Sequence, residues 1–151
     1  VIAIEPIFTA LHEFEQQRRQ HERQICRQLR LNHADIRLLS YLTVSKQTLQ
    51  QLQQLTGLDI STLSRQLTAL TRKKMLRKQL DQRDRRKRIF TLTTLGQKQF
   101  QYFCQASANF EQAILANWTV EEQQLLKVLL GRLLTSTKRL GPTANLLEVG
   151  E

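Results

Sequence analysis

Two stretches of this 151-residue chain carry side chains whose types and spacing suit one kind of chemistry, the grip of a polyanion. The first holds Ser61, Thr62, Ser64, Arg65, Thr68 and Arg72, short hydroxyls and guanidinium groups with no acid among them. On a helical wheel Ser61, Arg65, Thr68 and Arg72 fall opposite an apolar stripe of Ile60, Leu63, Leu67 and Leu70, with Thr62 and Ser64 at its flanks. Side chains of these kinds approach base edges and phosphates closely, whereas a merely solvated face mixes Glu with Lys. The second stretch runs from Arg72 to Arg88, where ten basic residues stand against Asp81 and Asp84. It therefore holds eight of the ten excess positive charges of the whole chain. Met75, Leu76, Leu80, Ile89, Phe90 and Leu92 are threaded through and around it, which predicts a folded element displaying the charge rather than a solvated tail.

Other chemistries find less support. His12, His21 and His33 have no Ser, Cys or carboxylate partner at a recognisable catalytic spacing, and no glycine-rich phosphate loop is present, so an enzyme is not expected. Cys26 and Cys104 are too few for a disulfide framework and form no metal-ligand spacing, so no metal or other cofactor is expected. Both fall in helical patterns and read as buried or half-buried thiols of a reducing compartment. No apolar run approaches the roughly 18 residues of a membrane span. The N-terminal Val1-Ile2-Ala3-Ile4 meets Glu5 and Pro6 at once and has no basic segment before it, so no secretory signal is expected. The reading is of a soluble, cytoplasmic chain without a membrane partner.

The elements that must position these side chains follow from periodicity. Ile7, Leu11, Phe14, His21, Ile25 and Leu29 predict a helix from about Pro6 to Arg30. Asn32 with Asp35 predicts a cap for a helix carrying Ile36, Leu38, Leu39 and Leu42, and Thr48 with Gln51 a capping box for a short helix that Gly57 stops. Asp59 caps the next helix. Leu76, Lys78 and Leu80 then alternate, as do Arg88, Phe90 and Leu92, around the polar turn from Asp81 to Arg86, which predicts a hairpin. Thr93 or Thr94 restarts a long helix, and Thr119 with Glu122 opens a leucine-rich one that Gly141-Pro142 ends, leaving a tail. Five glycines and two prolines are too few for a sandwich of many short strands.

The predicted fold is mainly α with a small β-hairpin wing, a winged helix-turn-helix within residues 32–106. Its hairpin spans residues 76–92. The apolar residues of the end helices (Ile7, Leu11, Phe14, Phe110, Ile114 and the C-terminal leucines) exceed what a roughly 60-residue winged domain needs. Residues 1–31 and 107–147 are accordingly expected to be dimerisation helices meeting a second copy of the chain; a bundle closing on itself is the other reading.

The run from Leu52 through Thr56-Gly57-Leu58-Asp59 to Leu70, the Asp81-Gln82-Arg83-Asp84-Arg85-Arg86 turn and the Leu92-Thr93-Thr94-Leu95-Gly96 restart resemble the MarR (multiple antibiotic resistance regulator) family of bacterial transcription factors. The resemblance covers roughly residues 6–140. It implies a homodimer that binds palindromic double-stranded DNA, usually as a repressor, and that small ligands or oxidants often release. It makes residues 59–73 the recognition helix and places Arg83, Arg85 and Arg86 at the wing, one of them entering the minor groove, where narrowness concentrates negative potential. Asp84 is expected to fix the hairpin by pairing with Arg65 or a neighbouring wing arginine. The chain departs from the family at Lys74, where glycine is usual. Lysine there must accept a left-handed backbone or shift the helix end, and it adds a charge that reaches phosphate.

The leading expectation is a dimeric, sequence-specific DNA-binding regulator, with Ser61, Thr62, Ser64, Arg65, Thr68, Arg72, Lys74, Arg83, Arg85 and Arg86 at the DNA. A non-specific architectural DNA-binding protein is the alternative. A basic protein-interaction or membrane-surface module is a third reading, and the hairpin speaks against it because membrane-surface binding usually uses a basic amphipathic helix. For a small-molecule effector the candidate pocket residues are Phe8, Phe14, Tyr41 and Phe103, and for an oxidant Cys26 or Cys104.

Overall fold

The computed structural model describes residues 4–142, with side chains from residue 6 onward. The first three residues and the tail expected after Pro142 lie outside the described residues, so the segments expected to dimerise are described only in part. The elements are α1 (Ile4–Gln28), α2 (His33–Val44), β1 (Gln47–Thr48), α3 (Leu49–Thr56), α4 (Ile60–Arg72), β2 (Leu76–Leu80), β3 (Arg88–Leu92), α5 (Thr94–Ile114) and α6 (Val120–Leu140). The fold is mainly helical with a three-stranded antiparallel sheet in the order β1-β3-β2. The chain divides into two compact units, Val1–Asn109 and Phe110–Glu151.

Local chemistry sets most helix boundaries in the first unit. The Asn32 side chain accepts the backbone N–H of Asp35 while the Asp35 carboxylate accepts that of Asn32, so each satisfies a donor that the helix start would otherwise orphan. Thr48 and Gln51 do the same for α3, which ends on Gly57 with φ +69°. Asp59 takes its expected place without the usual capping bond. It stands at the N-cap of α4, but its carboxylate accepts the Ser61 hydroxyl at 2.6 Å instead of a helical N–H. That hydroxyl, and then Thr62, hold the Asp59 carboxyl below its ordinary pKa.

The core of this unit joins Leu38, Leu39 and Leu42 of α2 to Leu52 of α3, Leu63, Leu67 and Leu70 of α4, Met75 just before the hairpin, and Leu76 and Phe90 within it. The stripe read on α4 is buried with one exception. Ile60 is 52% exposed, because it is the first residue of the helix and lies beyond the edge of the core that Leu63 closes.

The hairpin pairs Leu76 with Leu92, Lys78 with Phe90 and Leu80 with Arg88, so the two alternating triplets face each other in register. Leu76 is buried and Leu80 exposed, since the ladder runs outward from the core to the tip. β1 is an element that the sequence reading did not contain. It sets Gln47 opposite Phe90 and Thr48 opposite Ile89, which attaches the start of α3 to the wing.

In the second unit, α6 opens with the Thr119–Glu122 capping box and ends at Gly141, φ +67°. None of its residues is buried. Leu125, Leu129 and Leu134 are each more than half exposed, and Val120 and Val128 are exposed as well.

Candidate nucleic-acid interface

The core-facing stripe of α4 leaves Ser61, Arg65, Thr68 and Arg72 exposed and Thr62 and Ser64 half-buried at the flanks. The exposed face thus falls where the sequence placed it. Ser64, Thr68 and Arg72 line a cleft of about 160 Å³ together with Thr71, Lys78 and Arg88, floored by Leu49, Leu67 and Phe90. This cleft brings the hydroxyl face of α4 beside the inner face of the hairpin. A second cleft, of about 470 Å³, joins Thr48, Leu49 and Gln50 at the start of α3 to Asp84, Arg86, Lys87 and Arg88 of the wing. Arg83 lies elsewhere, on a cleft with Lys46, Gln79, Leu80, Asp81, Gln82 and Ile89. Ser61, Thr62, Arg65, Lys74 and Arg85 border none of these three hollows.

The two wing acids have a backbone role. Asp81 accepts the backbone N–H of Arg83, and Asp84 accepts that of Arg86, so the tip consists of two successive turns, each held by an aspartate side chain. The Asp81 N–H donates to the Lys87 carbonyl, and the Lys87 N–H donates to the Asp84 carbonyl. The expected pairing of Asp84 with Arg65 or a wing arginine is therefore replaced. No ion pair among the described residues includes Asp84. Its carboxylate meets an amide two residues on, which a short side chain in a turn reaches without ordering a long arginine. The guanidinium groups of Arg83, Arg85 and Arg86 stay exposed.

The C-terminal end of α4 meets the start of α5 through backbone groups. Lys74 takes the left-handed conformation, φ +61°. Its N–H donates to the Thr71 carbonyl and the Met75 N–H to the Leu70 carbonyl, a glycine-type helix stop built on lysine. The Thr93 hydroxyl donates to the Lys74 carbonyl at 2.6 Å and accepts the Gly96 N–H. The Thr93 N–H donates to the Met75 carbonyl.

These features define a fold already known from other proteins. No family model matches the chain. It is 36% identical over 76 residues to the uncharacterised HTH-type transcriptional regulator YxaD of Bacillus subtilis, covering 50% of this chain and 53% of that protein. The chain thus spans about half the length of that relative. The YusO protein of Bacillus subtilis superposes with a TM-score of 0.81 at 16% identity, over 87% of this chain and 94% of that one. MepR of S. aureus in complex with DNA gives 0.74 at 24% identity, over 83% and 96%. Wild-type apo MarR of E. coli gives 0.68 at 21% identity, over 89% and 98%. The fold is the MarR winged helix-turn-helix. Lys46, Gln50, Thr71, Lys78, Lys87 and Arg88 line the same three clefts as residues that the sequence had singled out. Lys78, Lys87 and Arg88 were visible only as members of a charge block, and nothing local distinguishes Lys46 or Gln50.

None of the residues expected around an effector lines the three clefts described above. Phe8 and Phe14 are half exposed on α1, while Tyr41 and Phe103 pack against the core and the Tyr41 hydroxyl donates to the Leu55 carbonyl. Cys26 is buried and Cys104 exposed. Among the described residues no helix is long and apolar enough to cross a membrane, and no cluster of His, Cys, Asp or Glu could hold a metal.

Proposed function

We propose that this chain is a DNA-binding transcriptional regulator, homodimeric and sequence-specific, acting as a repressor at a palindromic operator. The observation that carries this reading is the surface around the cleft between α4 and the hairpin. There the hydroxyls of Ser64 and Thr68 lie beside Arg72, Lys78 and Arg88, and no carboxylate intervenes. Hydroxyls that can take or give a hydrogen bond read base edges; the cations around them neutralise phosphate. The likeness in fold to MepR, which was solved in complex with DNA, supports a DNA-binding role.

In this proposal α4 enters the major groove with Ser61, Thr62, Ser64, Arg65, Thr68 and Arg72, Lys74 reaches a flanking phosphate, and Arg83, Arg85 and Arg86 serve the wing. The exposed leucines of α6, and Ile7, Phe8 and Phe14 on α1, supply apolar area for a second copy. Dimer symmetry would then set two α4 helices roughly 34–36 Å apart, one helical turn of DNA. Relief of repression by a small ligand belongs to the proposal through the resemblance of the chain to the family.

Selection of bound sequences from random duplex DNA tests it. The proposal expects an enriched palindrome with half-sites about one turn apart. A pool that stays random after selection contradicts it and favours the architectural reading.

A further inference from the structure

Lys73 carries one of the ten positive charges of the basic segment, yet its ammonium is engaged within the protein. Its Nζ donates to the Arg30 carbonyl at 2.9 Å and to Asp35 Oδ2 at 3.2 Å. Asp35 is only 3% exposed and is the one buried charged residue among the described residues. The same Oδ2 accepts the Asn32 N–H, so the carboxylate is held in place before the lysine arrives.

The partners of Lys73 are unusual as well. Lys73 is the C-cap of α4, directly before left-handed Lys74. Arg30, which offers its carbonyl, is the other non-glycine residue with positive φ among the described residues, +56°. The chain at Arg30 stops α1 by the same device, with the Arg30 N–H donating to the Arg27 carbonyl and the Leu31 N–H to the Cys26 carbonyl. Two helices thus end on strained, non-glycine stops, and the Lys73 ammonium bridges them.

We propose that Lys73 is a positioning residue for α4. It fixes the end of the DNA-reading helix to the end of α1 and to the buried Asp35, and it makes no phosphate contact. This rests on the DNA-binding reading. A displacement of the α1 end then shifts α4 through one ammonium group, which gives an event on α1 a route to the DNA-contacting face.

The test uses Asp35→Asn, Lys73→Met and the double variant, with duplex titrations at several salt concentrations and urea unfolding of each. Asp35→Asn removes a negative charge from a basic protein, so electrostatics alone would tighten DNA binding. Positioning predicts the reverse, a weakening of about fivefold or more with the salt slope unchanged, because a pose rather than a counterion is lost. A tightening, or a slope steeper by about one as a freed lysine finds phosphate, overturns the proposal. In urea the two single variants should be non-additive, with the double variant no less stable than Lys73→Met; additive shifts also overturn it. If Lys73→Met does not fold, Asp35→Asn decides alone, since its amide oxygen still accepts the Asn32 N–H while the negative charge that holds the Lys73 ammonium is gone. If the unmodified chain binds no duplex at any salt, the DNA reading fails and the role in DNA positioning fails with it. The urea cycle then still tells whether the tie exists.

Discussion

Gly96 sits directly on the backbone of Met75: a Cβ built at position 96 would lie 2.1 Å from the Met75 carbonyl oxygen. That carbonyl is fixed, since it accepts the Thr93 N–H, and the residue before it accepts the Thr93 hydroxyl. The leucine-threonine-x-x-glycine restart is therefore a joint. Its threonine ties the exit of α4 to the entry of α5, and its glycine lets the two backbones touch.

Gly96→Ala should accordingly destabilise the protein although alanine favours helix. The helical gain is about 1 kcal/mol, whereas forcing a methyl into packed backbone costs about 1–3 kcal/mol and sometimes more. Because the methyl meets fixed backbone, a net loss in the upper half of that balance, about 1–2 kcal/mol, is expected in urea unfolding, with weaker DNA binding because the exit of α4 moves. Unchanged stability would mean that the joint is looser than this contact.

Lys74→Gly should separate stability from binding. Lysine at φ +61° costs about 1–2 kcal/mol relative to an unstrained residue, partly offset by the flexibility of glycine in the unfolded chain. Stability should rise by about 0.5–1 kcal/mol. Duplex affinity should fall and the salt slope flatten by about one if the ammonium neutralises a phosphate. Thermal melts and salt titrations read the two effects separately.

Arg65→Ala and Arg86→Ala should fail in different ways. Loss of a base-reading arginine costs about 1–3 kcal/mol and relaxes preference at one operator position. Loss of a wing arginine should weaken all duplexes more evenly. Both residues are exposed, so the fold should survive either change. Binding profiles over a set of single-base operator variants distinguish them, and identical profiles would contradict the division of roles.

The two thiols should react unequally. Burial raises the Cys26 thiol pKa, and Glu22 and Asp35 raise it further; burial alone raises that of Cys104. A raised pKa leaves less thiolate at neutral pH, so both should be slow. Cys104 is exposed and should be alkylated first, with DNA binding unaffected, while Cys26 should label only as the protein unfolds. Loss of binding on modification of Cys104 in the folded protein would contradict this.

What was legible in the sequence was local in its causes. The capping boxes at Asn32, Thr48 and Thr119 each join residues three apart, and the hairpin register follows from two alternating triplets facing across a short loop. The exposed side of α4 was legible because the opposite side is leucine. What was not legible depends on distant partners. β1 is two residues long and exists only because Ile89 and Phe90 lie beside it. The stripe on α4 identified a face but could not tell that the core stops at Leu63 and leaves Ile60 out. Counting charge placed Lys73 with its neighbours, although its ammonium meets a carboxylate 38 residues earlier. Asp84 was expected to seek an arginine, and a turn amide two residues away meets it at lower entropic cost.

The central claim, that the α4–wing surface reads a specific duplex, is tested most directly by one titration: the selected palindrome against a shuffled duplex of equal length, at physiological salt and across a salt series. The account predicts a preference of at least about a thousandfold for the palindrome. It also predicts a slope of log K against log salt near −5 to −7, for about six to eight neutralised phosphates. Equal affinity for the two duplexes, or binding indifferent to salt, would contradict it.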